Sequence, residues 1–477
     1  MAVNRADRRE DLTEDEAEAH VHGVCFKTGP PERTGVELEW LVQDRSDPRA
    51  LIPVERLDAA LAPVEAPGAL PRGSRLTREP GGQVELSSPP APSLAGCVAA
   101  MAEDLAALRE AVERAGLVLV GHGLDPHREP PRVLDHPRYR AMERFFDREG
   151  PWGRTMMRRT ASLQVNLDSG EDRPGVTGYR GRWALAHRIG PVMVAAFANS
   201  PFRDGRPTGW VSTRQANWAL MDPGRTRQPR HDGPDEDPRA AWARYALDAR
   251  VLCIRQDGGT VGPAAEHATR PGASSAGGRT AASAAPGRGS SATGSLKGSL
   301  VGSPSGPDRT DSGDWSAPHG LTFRQWVRGA PGVRRPTVAD LDYHLSTLFP
   351  PVRPRGWLEL RMTDAQDGDQ WIVPTVLAAT LLDDPVAAET AYAATEPLAT
   401  SGDPLPTDLV WRRAARTGLA DPELARAARA CFAAAESALA RTGAPPALRQ
   451  AVSDFAERYP QRGRCPAHDQ LDALSRA

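Results

Sequence analysis

The sequence predicts an α+β fold built on an antiparallel sheet. Three observations carry this. Short runs alternating polar and apolar residues recur along the chain, they are dispersed among helical stretches without a strict β–α–β rhythm, and no G-x-G-x-x-G turn appears. With 477 residues, 40% hydrophobic and 25% charged, the chain has the balance of a soluble folded protein large enough for one big catalytic domain.

The elements follow in order. Thr13-Glu14-Asp15-Glu16 is a capping box that starts a helix running toward Cys25, stopped by Gly29-Pro30-Pro31. Gly35 to Val42 alternates as a strand, and Arg49 to Ala62 reads as a helix. The turn Pro80-Gly81-Gly82 introduces a second strand, Gln83 to Ser87. A long amphipathic helix spans Ser93 to Ala115, with Leu94, Val98, Met101, Leu105, Leu108 and Val112 on one stripe. Val118 to Val120 and Ser162 to Asp168 are further strands, and Trp183 to Ala198 is a buried helix closed by Asn199-Ser200-Pro201. Val251 to Ile254 and Trp357 to Arg361 are predicted as a strand pair. Pro374 to about Arg441 is helical, and the residues beyond Gln461 are expected to fray. Residues 257–318 hold Gly, Ser, Ala, Pro and Thr with scarcely a large apolar side chain. They are expected to form a disordered insertion in a single catalytic domain made of 1–256 and 319–477.

Composition and motifs exclude several functions. The net charge of −2 gives no field for nucleic acid or a membrane surface. Only Lys27 and Lys297 are lysines, so 57 of the 59 cations are arginine, and an arginine by itself carries little information. Cys25, Cys97, Cys253, Cys431 and Cys465 form no C-x-x-C pair, and their odd number suits a reducing cytoplasm. No apolar stretch approaches the length of a membrane helix. His20, His22, His122 and His127 lack zinc spacing, and neither a P-loop nor a G-x-S-x-G elbow is present.

What remains is the chemistry of the strand faces. Side chains two apart on a strand share a face. Glu37 with Glu39, Gln83 with Glu85, Gln164 with Asn166, and Glu359 with Arg361 therefore oppose apolar faces made of Val36, Leu38 and Trp40, of Val84 and Leu86, and so on. Four polar faces made of carboxylates and amides, with one basic residue among them, would repel across a sheet unless neutralised. Oxygen-only donors of this kind are what Mg²⁺ accepts, commonly while bridging to phosphates.

The motifs that carry these faces resemble a known family. Gly35-Val36-Glu37-Leu38-Glu39, Arg78 through Ser87, and Thr160 through Asp168 come first. Ala198-Asn199-Ser200-Pro201-Phe202, Ser212-Thr213-Arg214 leading into Trp218, Asp222 through Thr226, and Trp357 through Arg361 follow. In this order they resemble the glutamate–cysteine ligases of the plant and proteobacterial type, most of all the actinobacterial members that open ergothioneine synthesis.

The resemblance implies a glutamine-synthetase-like sheet curved into a bowl, with helices on its outer face. ATP, with about two or three magnesium ions, would phosphorylate the glutamate γ-carboxylate, and the cysteine amine would displace phosphate; the alternative is a ligase of the same superfamily that uses glutamate and a different amine. It implies Glu37, Glu39, Glu79, Glu85, Gln164 and Glu359 as metal ligands, with Asn166 and Arg361 at the nucleotide. Arg361 would be the catalytic residue steadying the phosphoryl group. Arg214 would clamp the glutamate α-carboxylate, with Trp218 and Arg225 completing the substrate wall. Some family members carry His where this chain has Gln164, and nothing matches the paired regulatory cysteines of the plant enzymes. The general base is not singled out.

Overall fold

The computed structural model describes residues 11–233, 235–255, 313–400 and 403–476. Seven strands form one antiparallel sheet: β1 (Thr34–Asp44), β2 (Arg75–Arg78), β3 (Val84–Ser87), β4 (Leu117–Val120), β5 (Ser162–Asp168), β6 (Val352–Pro354) and β7 (Trp357–Asp364). Their order is β2–β3–β1–β5–β7–β6. β1 is long enough to pair β3 through Glu37–Trp40 and β4 through Leu41–Asp44 along one edge, with β5 on the other.

Alternation along these strands sorts their side chains. Val36, Leu38, Trp40, Val84, Leu86, Leu163, Val165, Leu167, Leu358 and Leu360 all enter one hydrophobic core. Helices Leu94–Arg114, Tyr179–Ala196 and Ile372–Asp383 cover that face. The opposite, polar face is left for the site.

The expected helices at both N-terminal positions are present as Glu14–Cys25, with the Thr13–Glu16 capping box formed, and as Leu94–Arg114, capped by Ser93. The helix placed at Arg49–Ala62 begins later, at Val54, after Pro53.

Three expectations need correction. Val251–Ile254 is not a sheet strand: it makes isolated bridges, Arg250 with Thr322 and Cys253 with Ser316, while β7 pairs β5 and β6 instead. The C-terminal end is not frayed. Pro466–Arg476 is a helix, Cys465 is fully buried, and Gln470 Nε2 donates to Asn199 Oδ1 at 2.6 Å. Most of the low-complexity segment lies outside the described residues, but its end at 313–318 belongs to the fold. Trp315 is buried against His136 and Tyr343, and its carbonyl accepts the Ile254 N–H at 2.8 Å.

The helix Tyr179–Ala196 is buried on nearly every side, and Gly190 is where another helix crosses it. A Cβ there would come within 2.0 Å of the Trp411 ring. Gly190→Ala is expected to destabilise the fold by about 1–3 kcal/mol through overpacking, measured as a lower midpoint in urea unfolding with an unchanged slope.

Candidate active site

One large cavity of about 830 Å³ opens on the polar face of the sheet. Register explains its lining. Glu39 lies directly opposite Glu85, Glu37 opposite Gln164 on one side and Ser87 on the other, and Asn166 opposite Glu359. Glu37, Glu39, Glu79, Glu85, Gln164 and Asn166 all line the cavity.

Glu79 stands on the turn before β3. Gln83, which the alternation places on the cavity side, holds that turn: its Oε1 accepts the Gly81 N–H at 2.9 Å and its Nε2 donates to Thr160 O at 2.8 Å. Gly81 is required there, because a Cβ would sit 2.1 Å from the Arg158 carbonyl oxygen.

The carboxylates are only partly satisfied. Glu39 accepts the Ser162 N–H at 2.7 Å and Gln164 Nε2 at 3.2 Å; Glu37 accepts Asn166 Nδ2 at 3.0 Å; Glu85 accepts Thr77 Oγ1 at 2.9 Å. Burial, joined by the charges of Glu359 and Glu85, pushes Glu37 up to about 7. Burial and the charge of Glu39 push Glu85 up to about 7 as well. Burial, then Glu85 and Glu39, raise Glu79 well above the ordinary range. Facing carboxylates that raise one another in this way call for a cation.

The donor set fits Mg²⁺. Its carboxylate and amide donors are oxygen, although among the described residues no three Asp, Glu, His or Cys side chains are grouped so as to hold an ion by themselves. Separated carboxylates suit an ion that keeps waters and phosphate oxygens in its own shell.

Glu359 is placed differently. It is completely buried and does not line the cavity. Arg353 Nε and Nη2 grip its two oxygens at 2.6 and 3.2 Å, Arg355 Nη1 adds a contact at 3.2 Å, and Arg361 Nη1 another at 2.9 Å. Burial alone would raise its carboxyl; the charges of Arg353, Arg361 and Arg355 outweigh it and hold Glu359 well below the usual carboxylate range. A metal could reach it only by displacing an arginine. Arg353 and Arg355, which line the cavity, went unrecognised in the sequence. Arginine is too common in this chain to stand out, and Pro354 masks the short strand that bears the first of them.

Arg361 bridges Glu359 and Gln164 Oε1, and its Nε is buried with no partner among the described residues. Trp357 Nε1 fixes the Asn166 amide by donating to its Oδ1 at 3.0 Å.

Arg214 and Trp218 also line the cavity, as do Met142, Met157 and Phe349. Trp218 Nε1 donates to the Phe349 carbonyl at 2.9 Å, and its ring lies 5.6 Å from the Arg214 guanidinium. Arg225 does not join this wall. It is fully buried behind it, bonded to Thr347 and the Arg250 carbonyl and stacked on Phe145, while its own carbonyl accepts the Phe349 N–H at 2.9 Å. The Asp222–Thr226 motif is a capped turn that aims its arginine inward, so Arg225 supports the wall through Phe349 without touching the cavity.

Buried carboxylates set among arginines on the polar face of an antiparallel sheet make a cavity suited to a charged small-molecule substrate. Comparison with known proteins gives the particular family. Residues 33–476 match the profile of Glutamate-cysteine ligase family 2 (GCS2). The chain is 38% identical over 469 residues to glutamate–cysteine ligase EgtA of Mycolicibacterium smegmatis, covering 96% of this chain and 91% of that one. The Mycobacterium tuberculosis EgtA is likewise 38% identical, covering 97% and 91%. A chloroplastic glutamate–cysteine ligase of Brassica juncea is 28% identical over 302 residues, covering 62% of this chain and 46% of its own. This chain belongs to the glutamate–cysteine ligase family.

Proposed function

We propose that this chain joins the γ-carboxylate of L-glutamate to the amine of L-cysteine at the expense of ATP, giving γ-glutamylcysteine, ADP and phosphate for ergothioneine synthesis. The observation that carries this reading is the cavity lined together by Glu37, Glu39, Glu79, Glu85, Arg361 and Arg214. Relatives named EgtA, alike over nearly the whole chain, support the same substrates.

Glu37, Glu39, Glu79, Glu85 and Gln164 would hold magnesium, which supplies neutralisation of phosphate charge. Glu359 would join them by exchanging an arginine contact for the ion. Arg361 grips the transferring phosphoryl group through its fork, and Asn166 contacts the nucleotide. Arg353 and Arg355 add positive charge at the same end. Arg214 takes the glutamate α-carboxylate, with Trp218 beside it. The glutamate γ-carboxylate oxygen attacks the terminal phosphorus of ATP and ADP leaves. The neutral cysteine nitrogen then attacks the acyl carbon, phosphate departs, and the nitrogen gives up a proton as the amide forms.

The sheet is the proposed glutamine-synthetase-like bowl, and its strands β6 and β7 come from beyond the low-complexity segment, which supports one catalytic domain on both sides of it. No described helix is long and apolar enough to cross a membrane, and the five cysteines are free and buried, so a cytoplasmic location is the natural reading.

The amine is tested by offering cysteine, serine, alanine and 2-aminobutyrate at equal concentration and weighing the products. Cysteine is expected to be converted fastest; a clear preference for another amine would overturn that assignment.

Metal holding has its own test. A carboxyl raised in the fold stabilises the fold below its ordinary range and loses that contribution as pH rises through about 7, here at Glu37 and Glu85. Magnesium binds the ionised forms and restores the loss. The rise in Tm on adding Mg²⁺ is therefore expected to be larger at pH 8 than at pH 5.5. Equal shifts at both pH values would exclude these carboxylates as ligands.

A further inference from the structure

Asp364 lies three residues beyond Arg361 on β7 and belongs to none of the motifs that define the site. Along an unbroken strand it would share the core face of Leu358, Leu360 and Met362. The register between β5 and β7 shifts between Leu163 and Val165, where Val165 pairs Leu360 but Leu163 pairs Thr363. That bulge turns Asp364 to stand opposite Ser162, the residue whose N–H binds Glu39.

The Asp364 carboxylate is 2% exposed and takes four donors. Arg214 Nε at 2.9 Å and Ser212 Oγ at 3.0 Å reach Oδ1; Ser200 Oγ at 2.7 Å and the Asn199 N–H at 2.9 Å reach Oδ2. All four belong to the segment 199–214, so one carboxylate ties that segment to β7. Gly123 packs so closely that a Cβ would lie 2.4 Å from the Asp364 carboxyl carbon. The C-terminal helix closes the far side, with Ala467 N–H bonded to Ala198 O at 2.9 Å. Arg214 is thereby held at two points, since its Nη2 also donates to the Arg361 carbonyl at 3.2 Å.

A guanidinium can grip a carboxylate through its Nε edge or through its two terminal nitrogens. Asp364 occupies the first. We infer that Asp364 is the positioning residue for Arg214: by taking Nε, while the Arg361 carbonyl takes one Nη2 hydrogen, it leaves Nη1 and the second Nη2 hydrogen for the glutamate α-carboxylate and sets the affinity for it. The inference rests on the reading of Arg214 as that clamp. It also gives the substrate clamp and Arg361 a common strand, so the two ends of glutamate are held in one register.

The test is steady-state kinetics of Asp364→Asn, Arg214→Lys and the double variant, with Tm measured for each. Asp364→Asn keeps the volume and one acceptor, and is expected to raise KM for glutamate about tenfold, because a buried ion pair loses one charge. KM for ATP should stay within about twofold, as the lost binding concerns one substrate. The double variant should cost little more than Arg214→Lys alone, the sign of residues acting as one unit. Unchanged KM for glutamate in Asp364→Asn, or strict additivity in the double variant, overturns the positioning role while leaving Arg214 as the clamp. Unchanged KM for glutamate in Arg214→Lys overturns the clamp itself and the inference with it. Should Asp364→Asn fail to fold, Ser200→Ala removes one donor from the same carboxylate. It is then expected to raise KM for glutamate about threefold, and no change would overturn the inference.

Discussion

Replacing Arg361 by lysine is expected to stop turnover while leaving ATP bound. Arg361 bonds Glu359 and Gln164 through Nη1 while carrying two further nitrogens in a fixed plane. An ammonium offers one point of charge on a flexible stem and no fork. Interactions that tighten only as phosphoryl charge develops appear in kcat, and losing an in-site arginine costs about 10³-fold or more. Single-turnover ADP formation, with nucleotide binding followed by calorimetry, separates the two effects. Near-normal turnover would remove Arg361 from the phosphoryl group. Loss of ATP binding with the same kcat would make it a ground-state contact.

The second large effect is expected at Glu359. The alternation of β7 alone suggests that Glu359→Gln is a silent isostere for the fold and lethal only to metal binding. Its surroundings change that expectation. Arg353, Arg355 and Arg361 share this one carboxylate, and Arg353 is brought down to about 10 by burial and by the neighbouring Arg361 and Arg355 charges, against the opposing pull of Glu359. Removing the shared charge leaves buried guanidiniums without a counter-ion, which costs about 3–5 kcal/mol in such pairs. Glu359→Gln should therefore lose activity and also lower Tm by several degrees at neutral pH. The sign follows from the depressed carboxyl: its stabilising contribution is full above the ordinary carboxylate range and is lost as pH falls from that range toward the depressed value. The Tm gap between wild type and Glu359→Gln should thus narrow in acid. An unchanged Tm at neutral pH would mean that the arginine clasp carries no stability.

Much of this site is legible in the sequence because alternation is a strong signal where one sheet face is buried. β1, β3, β5 and most of β7 can be read from Val, Leu and Trp at every second position, and that reading puts Glu37, Glu39, Glu85, Gln164 and Asn166 on one face. The misses have local causes. β6 is three residues long, ends in Pro354, and shows no alternation to find. Asp364 is hidden because a bulge reverses its face, and a bulge leaves no mark in residue type. Arg225 sits in the Asp222–Thr226 motif, whose capped turn aims it away from the cavity. The fully buried Glu359 shows that sharing a strand face does not ensure sharing a cavity: three arginines drawn from β6, β7 and the turn between them close over it.

The central claim is that the glutamate γ-carboxylate attacks ATP in this cavity and is released from phosphate by the cysteine amine. The direct measurement uses glutamate labelled with ¹⁸O in the γ-carboxylate, with ATP, Mg²⁺ and cysteine, followed by mass analysis of the products. One labelled oxygen is predicted to appear in each inorganic phosphate, with ADP formed in equal amount and one label kept in the new amide. Unlabelled phosphate, or label recovered in AMP, would contradict it.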